Sequence, residues 1–365
     1  MWSSATRAAF AIALAALLAF VVVRARALLK RRATRYRDLR PRLRLADLVE
    51  ARTTVFYHHP CTDGFAAMVC ALHALRPGAR FVACAAGGVG GDALRPDRLR
   101  ELANRYVLFL DCAPPLAVVR AIADIAADVL VLDHHKATLD QLSPLPGRYK
   151  WLDMQRSGAM LAWNFFLGGA AEPHESARVA PWFVHYVQDN DLYTHALPQS
   201  RAFSAFANKD LDVVLFTRML TDTDPLAPGA IGALTSEVFR QAVAEGERIA
   251  VEEQAAVQKA LADVHVHCSV LPDGKRYRVA YYRDAPFAIR SQLGNLMATS
   301  FACDFAALYT YDAAKNVTGF SLRSLHSQGT GADVDAVARL FGGGGHVSAS
   351  GCNVPGRVEY LGALV

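Results

Sequence analysis

Short apolar runs alternate with longer amphipathic segments from residue 53 onward. The runs "TTVFYH", "RFVACAA", "RYVLFLD" and "DVLVLD" predict strands, and "GFAAMVCALHAL" and "PLAVVRAIADIA" predict helices between them. A further helix is predicted for "SGAMLAWNFFLG", with Ser157 near its start. Uniformly apolar strands separated by helices are typical of a parallel sheet covered on both faces. The predicted fold class is therefore α/β, and in such a sheet ligands gather beyond the carboxyl ends of the strands.

A long, charged, Ala-rich stretch at residues 231–262 predicts a helix that bridges two domains. A second α/β unit follows from about residue 265, where "RYRVAYY", "FAALYTY" and "VTGFSLRS" predict strands and residues 286–300 and 332–341 predict helices. We therefore divide the chain into an N-terminal segment at 1–45, a parallel-sheet domain at 50–228, a connecting helix at 229–264 and a smaller α/β domain at 265–365.

The N-terminal segment differs from the rest in hydropathy and charge. Residues 8–23 form an uncharged apolar run, and residues 1–44 hold eleven Lys or Arg but one acid. This pattern leaves two interpretations open. In the first, an apolar helix at 8–23 anchors the chain in a membrane, with the body on the cytosolic or matrix side because basic residues follow the run. In the second, the segment is a presequence that is cleaved in the interior of a mitochondrion or plastid.

Charge and cysteine content narrow the class of partner. The chain beyond residue 44 carries a net charge of −5, which argues against binding to long duplex DNA. Seven cysteines without a CxxC pair do not indicate a disulfide framework, so we expect a reducing compartment. No oligomeric state is predicted.

Acids and histidines follow four apolar segments that we interpret as strands. They are His58, His59, Cys61 and Asp63 in "VFYHHPCTDG", Asp111 in "VLFLDC", Asp133, His134 and His135 in "VLVLDHH", and Asp189 and Asp191 in "HYVQDND". Parallel strands bring their carboxyl ends to one edge, where so many carboxylates would repel one another without a cation. Mixed Asp and His ligands suit Mn²⁺, Mg²⁺, Fe²⁺ or Zn²⁺. Two such ions about 3.5–4 Å apart are an arrangement used for phosphoryl transfer.

Over about residues 53–355, these motifs and their order resemble the DHH phosphoesterase superfamily. The chain has a "TDG" after the first strand, a lone Asp after an apolar strand, the "DHH" triplet and a later Asp. The strings "GFSLRS" and "LFGGGGHVSASG" resemble the C-terminal domain associated with that superfamily. The resemblance implies a metal-dependent phosphohydrolase or phosphodiesterase that acts on a nucleotide or a short single-stranded oligonucleotide.

The resemblance also implies a role for each matching residue. Asp63, Asp111, His134 and Asp189 would hold two divalent ions, with Mn²⁺ the first choice. Where the chain departs from the superfamily pattern, His58 or His59 would supply an imidazole, and we add His58 and Cys61 to the predicted ligands. Asp111 would bridge the ions, and Asp191 is the alternative to Asp189. His135 would face the scissile phosphate, with Asp133 orienting the histidine pair. Substrate would be bound by Arg323, Gly343, Gly344, Gly345 and His346, with glycine amides close to an anion.

Cys61 stands where the first Asp of the superfamily's first motif is expected, and Tyr57 stands where a His often lies. Cys61 as a thiolate ligand would favour a softer metal such as Zn²⁺ or Fe²⁺. Alternatively, Cys61 only packs beneath the loop, or one metal site is weak and the chain is a membrane-tethered nucleotide-binding module with little activity. A pyrophosphate or polyphosphate hydrolase is a further alternative, because it would use the same metal cluster.

Overall fold

A computed structural model of the chain describes residues 43–75, 78–84, 94–169, 178–222 and 236–364. The apolar run at residues 8–23, for which we predict a membrane anchor or a presequence, lies outside the described residues. Within the described ranges, no helix combines the length and the apolar character that a bilayer span requires.

The first half of the chain contains a five-stranded sheet in which every neighbouring pair is parallel. Its strands are β1 (Thr53–His58), β2 (Arg80–Cys84), β3 (Tyr106–Leu110), β4 (Asp128–Asp133) and β5 (Lys150–Leu152), in the order β2-β1-β3-β4-β5. Alternate residues of the central strands enter two separate cores: Leu108 and Leu110 lie in one, and Val107 and Phe109 in the other. The predicted parallel sheet with both faces covered is confirmed, and its strands end at one edge.

Seven α-helices accompany this sheet within the described residues. They are α1 (Thr62–Leu75), α2 (Leu116–Ile125), α3 (Lys136–Leu142), α4 (Gly158–Phe166), α5 (Trp182–Asp191), α6 (Ser200–Lys209) and α7 (Val213–Thr221). Helix α4 begins after Ser157, whose hydroxyl accepts a hydrogen bond from the Met160 amide at 3.3 Å. Such a cap satisfies one of the amide groups that a helix leaves free at its start.

The interpretation of "HYVQDND" as the end of a strand is wrong, because this segment is the last part of helix α5. Pro181 precedes the helix, and the buried side chains of Trp182, Phe183, Tyr186 and Val187 recur with helical spacing. Trp182 packs edge-on against aromatic rings of α6 and of the long helix that follows. The apolar content that suggested a strand therefore forms the buried face of a helix.

The second half of the chain begins with the 25-residue helix α8 (Glu237–Leu261), which occupies most of the predicted bridging stretch. A seven-stranded sheet follows, in the order β10-β11-β9-β8-β7-β6-β12, with β7 and β8 parallel and the other pairs antiparallel. Its strands are β6 (His265–Val270), β7 (Arg276–Arg283), β8 (Phe305–Asp312), β9 (Val317–Arg323), β10 (Gly344–His346), β11 (Ala349–Pro355) and β12 (Ala363–Leu364). Helices α9 (Phe287–Ser300) and α10 (Val334–Arg339) contribute to the cores on its two faces. The α/β class is confirmed, and the domain boundaries stay predictions.

Helices α6 and α8 meet at backbone distance, and Gly246 makes this contact possible. A Cβ atom at position 246 would lie 1.8 Å from the carbonyl oxygen of Ala202. A carbonyl oxygen within a helix cannot rotate away as the end of a flexible side chain can. The position therefore requires glycine even though it lies in the middle of a helix.

We expect Gly246→Ala to destabilise the protein despite the better helix propensity of alanine. Overpacking costs about 1–3 kcal/mol, which exceeds the gain of about 0.8–1 kcal/mol from replacing glycine inside a helix. Thermal unfolding followed by circular dichroism would measure the change. Gly147→Ala is the matched control, because no atom lies within 4 Å of its Cβ position. Equal melting temperatures for the two variants would contradict the packing argument.

Candidate metal centre

Asp111 lies at the middle of the edge where the parallel strands end. It follows strand β3 in a left-handed conformation with φ of +56°, and its amide donates to the carbonyl of Leu132 at 2.9 Å. One carboxylate oxygen, Oδ2, lies 3.3 Å from Nδ1 of His58 and 3.7 Å from Sγ of Cys61. The other, Oδ1, lies 3.2 Å from Nε2 of His134. The carboxylate therefore faces a different donor group with each oxygen.

The first donor group consists of His58, Cys61 and Asp111, whose candidate ligand atoms all lie within 4.8 Å of one another. His58 ends strand β1, and Cys61 lies just before helix α1, so the β1–α1 turn supplies two of the three atoms. His59 points elsewhere, with its ring 6.1 Å from that of Phe65. Of the two neighbouring histidines, His58 is the one that reaches the centre.

The second donor group consists of Asp63, His134 and Asp191. Nε2 of His134 lies 3.8 Å from Oδ2 of Asp63 and 3.4 Å from Oδ2 of Asp191. Asp63 is 2% exposed, and its two oxygens accept hydrogen bonds from the amides of Gly158 at 2.5 Å and Ala159 at 2.9 Å. These amides begin helix α4, where free N–H groups and the helix dipole favour negative charge. The start of α4 thus holds the Asp63 carboxylate in place.

Gly158 is a site residue that the sequence analysis missed. A Cβ atom there would lie 2.5 Å from Cβ of Asp111 and 2.8 Å from Oδ2 of Asp63. A side chain at this position would therefore push two of the central carboxylates out of place. A glycine directly after Ser157, near the start of the predicted helix, was the available signal, because the start of a helix is where backbone amides are free to meet a carboxylate.

Asp133 fixes the positions of His134 and His135 through hydrogen bonds. Its Oδ1 accepts the amides of His134 at 2.7 Å and His135 at 3.1 Å, and lies 2.7 Å from Nδ1 of His135. Its Oδ2 accepts the hydroxyl of Thr138 at 2.8 Å. With Nδ1 of His135 engaged in this way, Nε2 remains for a partner outside the protein core. This arrangement suits the orienting role that the sequence resemblance implies for Asp133.

The sequence left open whether Asp189 or Asp191 is the metal ligand of the fourth motif, and the two side chains have different surroundings in the structure. The carboxylate of Asp189 accepts hydrogen bonds from the Thr194 hydroxyl at 2.6 Å and from the amides of Ala196 at 2.9 Å and Leu197 at 3.2 Å. It belongs to none of the donor groups found among the described residues, whereas Asp191 does. Two residues along a helix are separated by a rotation of about 200°, so the two side chains leave α5 on different sides. The geometry favours Asp191 as the ligand in place of Asp189.

Burial and neighbouring charges shift the pKa values of the acids and histidines in and around the second group. Burial, followed by the neighbouring carboxylates, raises the pKa of Asp63 well above its ordinary value, and burial raises that of Asp191 to about 6. Burial would also raise the pKa of Asp111, but the imidazoles of His134 and His58 hold it below its ordinary value. Burial would lower the pKa of His135, but Asp133 and Asp111 raise it to about 9.

Three buried polar atoms of the centre have no hydrogen-bond partner among the described residues: Oδ1 of Asp111, Nε2 of His134 and Oδ2 of Asp191. All three belong to the groups of candidate metal ligands described above. Nε2 of His134 lies within ion-pair distance of the other two atoms but forms an aligned hydrogen bond with neither. A buried polar atom without a partner is costly. Carboxylate and imidazole groups with unused lone pairs are the ligands that divalent first-row metals take. The residues present therefore fit a divalent metal ion.

Four of the five predicted substrate residues lie in strands of the second sheet, Gly343 directly precedes β10, and one of the five faces the metal centre. The imidazole of His346 lies 5.7 Å from that of His135, with the two rings inclined by 27°. Arg323, at the end of β9, donates through Nη2 to the hydroxyl of Ser291 at 3.0 Å. We call the space between His135 and His346 the junction. Burial lowers the pKa of His346, and the positive charge of Arg323 lies close enough to help lower it.

The glycine string forms the edge hairpin of strands β10 and β11. The amide of Gly345 is engaged by Oδ1 of Asp335 at 2.9 Å, so it is not free for an anion in this conformation. A Cβ atom at Gly343 would lie 2.1 Å from the carbonyl oxygen of Gly351, which explains that glycine by close packing. Gly344 pairs with Gly351 in the hairpin. The string therefore has a packing role that the sequence analysis did not assign to it.

No family model matches the chain. The chain is 24% identical over 255 residues to an uncharacterized protein of Acanthamoeba polyphaga mimivirus, an alignment covering 69% of this chain and 54% of that protein. It thus spans about half the length of the curated relative that it matches.

Three solved structures match the chain at low similarity. An uncharacterized Helicobacter pylori protein has a TM-score of 0.36 at 15% identity, with 85% of this chain and 95% of that chain covered. A pGpG-specific phosphodiesterase, PggH from Vibrio cholerae, has a TM-score of 0.38 at 14% identity, with 83% and 93% covered. A Methanococcus jannaschii candidate family II inorganic pyrophosphatase has a TM-score of 0.30 at 12% identity, with 84% and 94% covered. All these TM-scores are low, so the function must be argued from the side chains of the site.

The placement of the two acids on α5 predicts opposite outcomes for the same substitution. Asp191→Asn should lower Mn²⁺ affinity by at least about tenfold, since even groups that only support metal ligands have effects of this size. It should leave the metal-free melting temperature unchanged or higher, because it removes a buried charge. Asp189→Asn should leave Mn²⁺ affinity unchanged but destabilise the fold by about 1–3 kcal/mol. The reason is that the new side-chain NH₂ group would point at a backbone N–H group, so that two hydrogen-bond donors would face each other. Calorimetric titration and thermal unfolding would test both, and loss of metal in Asp189→Asn alone would contradict the assignment.

Proposed function

We propose that the chain is a metal-dependent phosphohydrolase that cleaves a phosphodiester of a nucleotide or a short single-stranded oligonucleotide. The observation that carries the proposal is the division of the Asp111 carboxylate between two donor groups, with Oδ2 toward His58 and Oδ1 toward His134. A carboxylate that faces two ligand sets is suited to bridge two cations. The sequence resemblance to the DHH phosphoesterases adds independent support, because it assigns the bridging role to the same residue.

His58, Cys61, Asp63, Asp111, His134 and Asp191 are the residues that would hold the ions. When bound, two divalent ions would supply Lewis-acid charge that activates water and stabilises a phosphoryl transition state. The remaining steps fall to groups of the protein. Asp133 fixes the orientation of His135 through Nδ1, so that Nε2 can hydrogen-bond a phosphoryl oxygen at the junction. His346 lies opposite His135 and closes the same space from the other domain.

Cys61 bears on which metal the first group prefers. Burial, followed by the charges of Asp111 and Asp63, raises the pKa of the Cys61 thiol well above its ordinary value in the absence of a cation. The thiol is therefore neutral unless a metal ion stabilises the thiolate. We propose that Cys61 is a ligand in the loaded protein, which would shift the preference of the first group from Mn²⁺ toward Zn²⁺ or Fe²⁺.

The proposal predicts that Asp111→Asn abolishes most phosphodiesterase activity while the protein stays folded. Asparagine preserves the size of the side chain and tolerates the left-handed backbone, but it cannot supply two anionic oxygens. We expect a rate at least about 100-fold lower, since even supporting residues of metal sites have effects of about 10–100-fold. Hydrolysis of a dinucleotide with added Mn²⁺ would be measured beside metal content.

Asp140→Asn, an exposed substitution on α3, is the control for this measurement. A near-normal rate in Asp111→Asn would remove the two-metal proposal. The same panel separates the alternatives: hydrolysis of pyrophosphate but not of dinucleotides would point to a phosphoanhydride hydrolase. Nucleotide binding without any hydrolysis would point to a binding module.

Ligation by Cys61 predicts that metal protects this thiol from alkylation. Iodoacetamide should label Cys61 slowly in metal-loaded protein and rapidly after chelation, with the label located by peptide mass spectrometry. Cys268 on β6 is also partly exposed and belongs to none of the donor groups identified in the described parts of the chain, so its rate should not change. Equal labelling of Cys61 in both states would leave the first site to His58 and Asp111.

A further inference from the structure

A short loop at residues 192–199 joins helix α5 to α6 and is held by Asp189. Besides the three donors to its carboxylate, the backbone carbonyl of Asp189 accepts the amide of Thr194 at 3.0 Å. Tyr193, at the start of the loop, has φ of +57°, a conformation that bulky residues rarely adopt. A bulky residue stays in such a conformation only where its surroundings determine it. The contacts of Asp189 therefore account for a strained backbone two residues beyond Asp191, the proposed metal ligand.

The ring of Tyr193 is held in place and yet is largely exposed. The imidazole of His195 packs against it at 4.6 Å and an angle of 71°, and the phenol oxygen accepts a hydrogen bond from Nδ2 of Asn295 at 3.0 Å. Asn295 belongs to helix α9 of the second half of the chain. Even so, 63% of Tyr193 is exposed. The side chain thus connects the two halves of the chain and still leaves much of its surface exposed.

Arg323, on strand β9, contacts the same face of helix α9 as Tyr193 does. Its guanidinium bonds to Ser291, and Asn295 is one helical turn farther along. Side chains four residues apart on a helix are neighbours, with Cβ atoms about 5–6 Å apart. Gly294 gives Arg323 its space, because a Cβ atom there would lie 2.8 Å from Cγ of Arg323. An exposed aromatic ring and a fixed cation are therefore adjacent at one face of α9, close in sequence to a proposed metal ligand.

We propose that the exposed face of the Tyr193 ring is the platform on which the nucleobase of the substrate stacks while its phosphate is held near Arg323 and the metal centre. This rests on the proposed function and goes further, because the metal centre alone does not distinguish a nucleotide from pyrophosphate. A stacked base needs a flat, apolar surface that does not move, and tyrosine supplies one with few rotatable bonds. The platform makes a base-bearing phosphate, and not an inorganic one, the substrate class.

Binding of two matched ligands to the full chain with Mn²⁺ would test the platform. Adenosine 5′-monophosphate and ribose 5-phosphate carry the same phosphate, and only the first carries a base. Calorimetry should show that the nucleotide binds at least about tenfold more tightly, the scale of one stacked base. Tyr193→Leu should abolish this preference and leave ribose 5-phosphate binding unchanged. Tyr193→Phe should keep the preference, because a phenyl ring stacks as well.

Tyr311→Leu is the matched control. Tyr311 also bonds an asparagine through its hydroxyl, that of Asn316, but it pairs with Thr318 at the far end of β9 from Arg323. It should keep the base preference. Phe287, which is 64% exposed one turn before Ser291, is the rival aromatic surface. Loss of the preference in Phe287→Leu and not in Tyr193→Leu would overturn the proposal.

Two further outcomes would also overturn the platform: equal affinities of the two ligands in the wild-type chain, or equal weakening of both by Tyr193→Leu. The second would mean that Tyr193 only holds the two halves of the chain together. Because binding requires no turnover, the test is separate from the proposed function. A base preference without hydrolysis would support the platform and refute the phosphodiesterase, whereas hydrolysis without a base preference would do the reverse.

Discussion

The structure depends on burying several carboxylates in one place. Asp63, Asp111 and Asp133 are each at most 2% exposed, and burying such groups without partners is costly. The protein supplies donors very unevenly. Asp133 receives two amides, a hydroxyl and an imidazole, and Asp63 receives two amides. Among the described carboxylates of the centre, Oδ1 of Asp111 and Oδ2 of Asp191 are buried without a hydrogen-bond donor, and a cation would take the place of that donor.

The parallel sheet and helix α4 together bring these carboxylates to one place. Strands β1, β3 and β4 end side by side, so that residues distant in sequence arrive at one edge. The start of α4 then brings its free amides to the same edge, and Gly158 allows its backbone to touch two carboxylates. Replacing either element would leave the carboxylates without their supporting donors. The candidate metal centre is therefore a property of the sheet edge and α4 together, not of one motif.

Much of this edge could be predicted from the sequence, because apolar strand patterns are local and the residues after them are readable. His58, Asp63, Asp111 and the DHH triplet followed directly. Asp189 and Asp191 could not be separated in this way, because the choice depends on whether the segment is a strand or a helix. A strand would place both residues on one face, whereas the helix turns them to different sides. Tertiary packing of the aromatic face of α5 decided that question, and packing is not visible in a local pattern.

The glycine string is a second feature whose role could not be predicted from local sequence. Its structure indicates that side chains, rather than backbone amides, would recognise an anion. Glycines suggest free amides, yet the amide of Gly345 is occupied by Asp335, a residue whose contact no local pattern could predict. Burial, followed by the nearby imidazoles of His135 and His134, lowers the pKa of His346. At neutral pH, His346 is therefore an uncharged hydrogen-bonding group. Arginine keeps its charge in proteins, so Arg323 supplies a fixed positive charge on that side of the junction. In the proposed function, the metal centre and Arg323 would then be two anchoring points for one phosphate-bearing molecule.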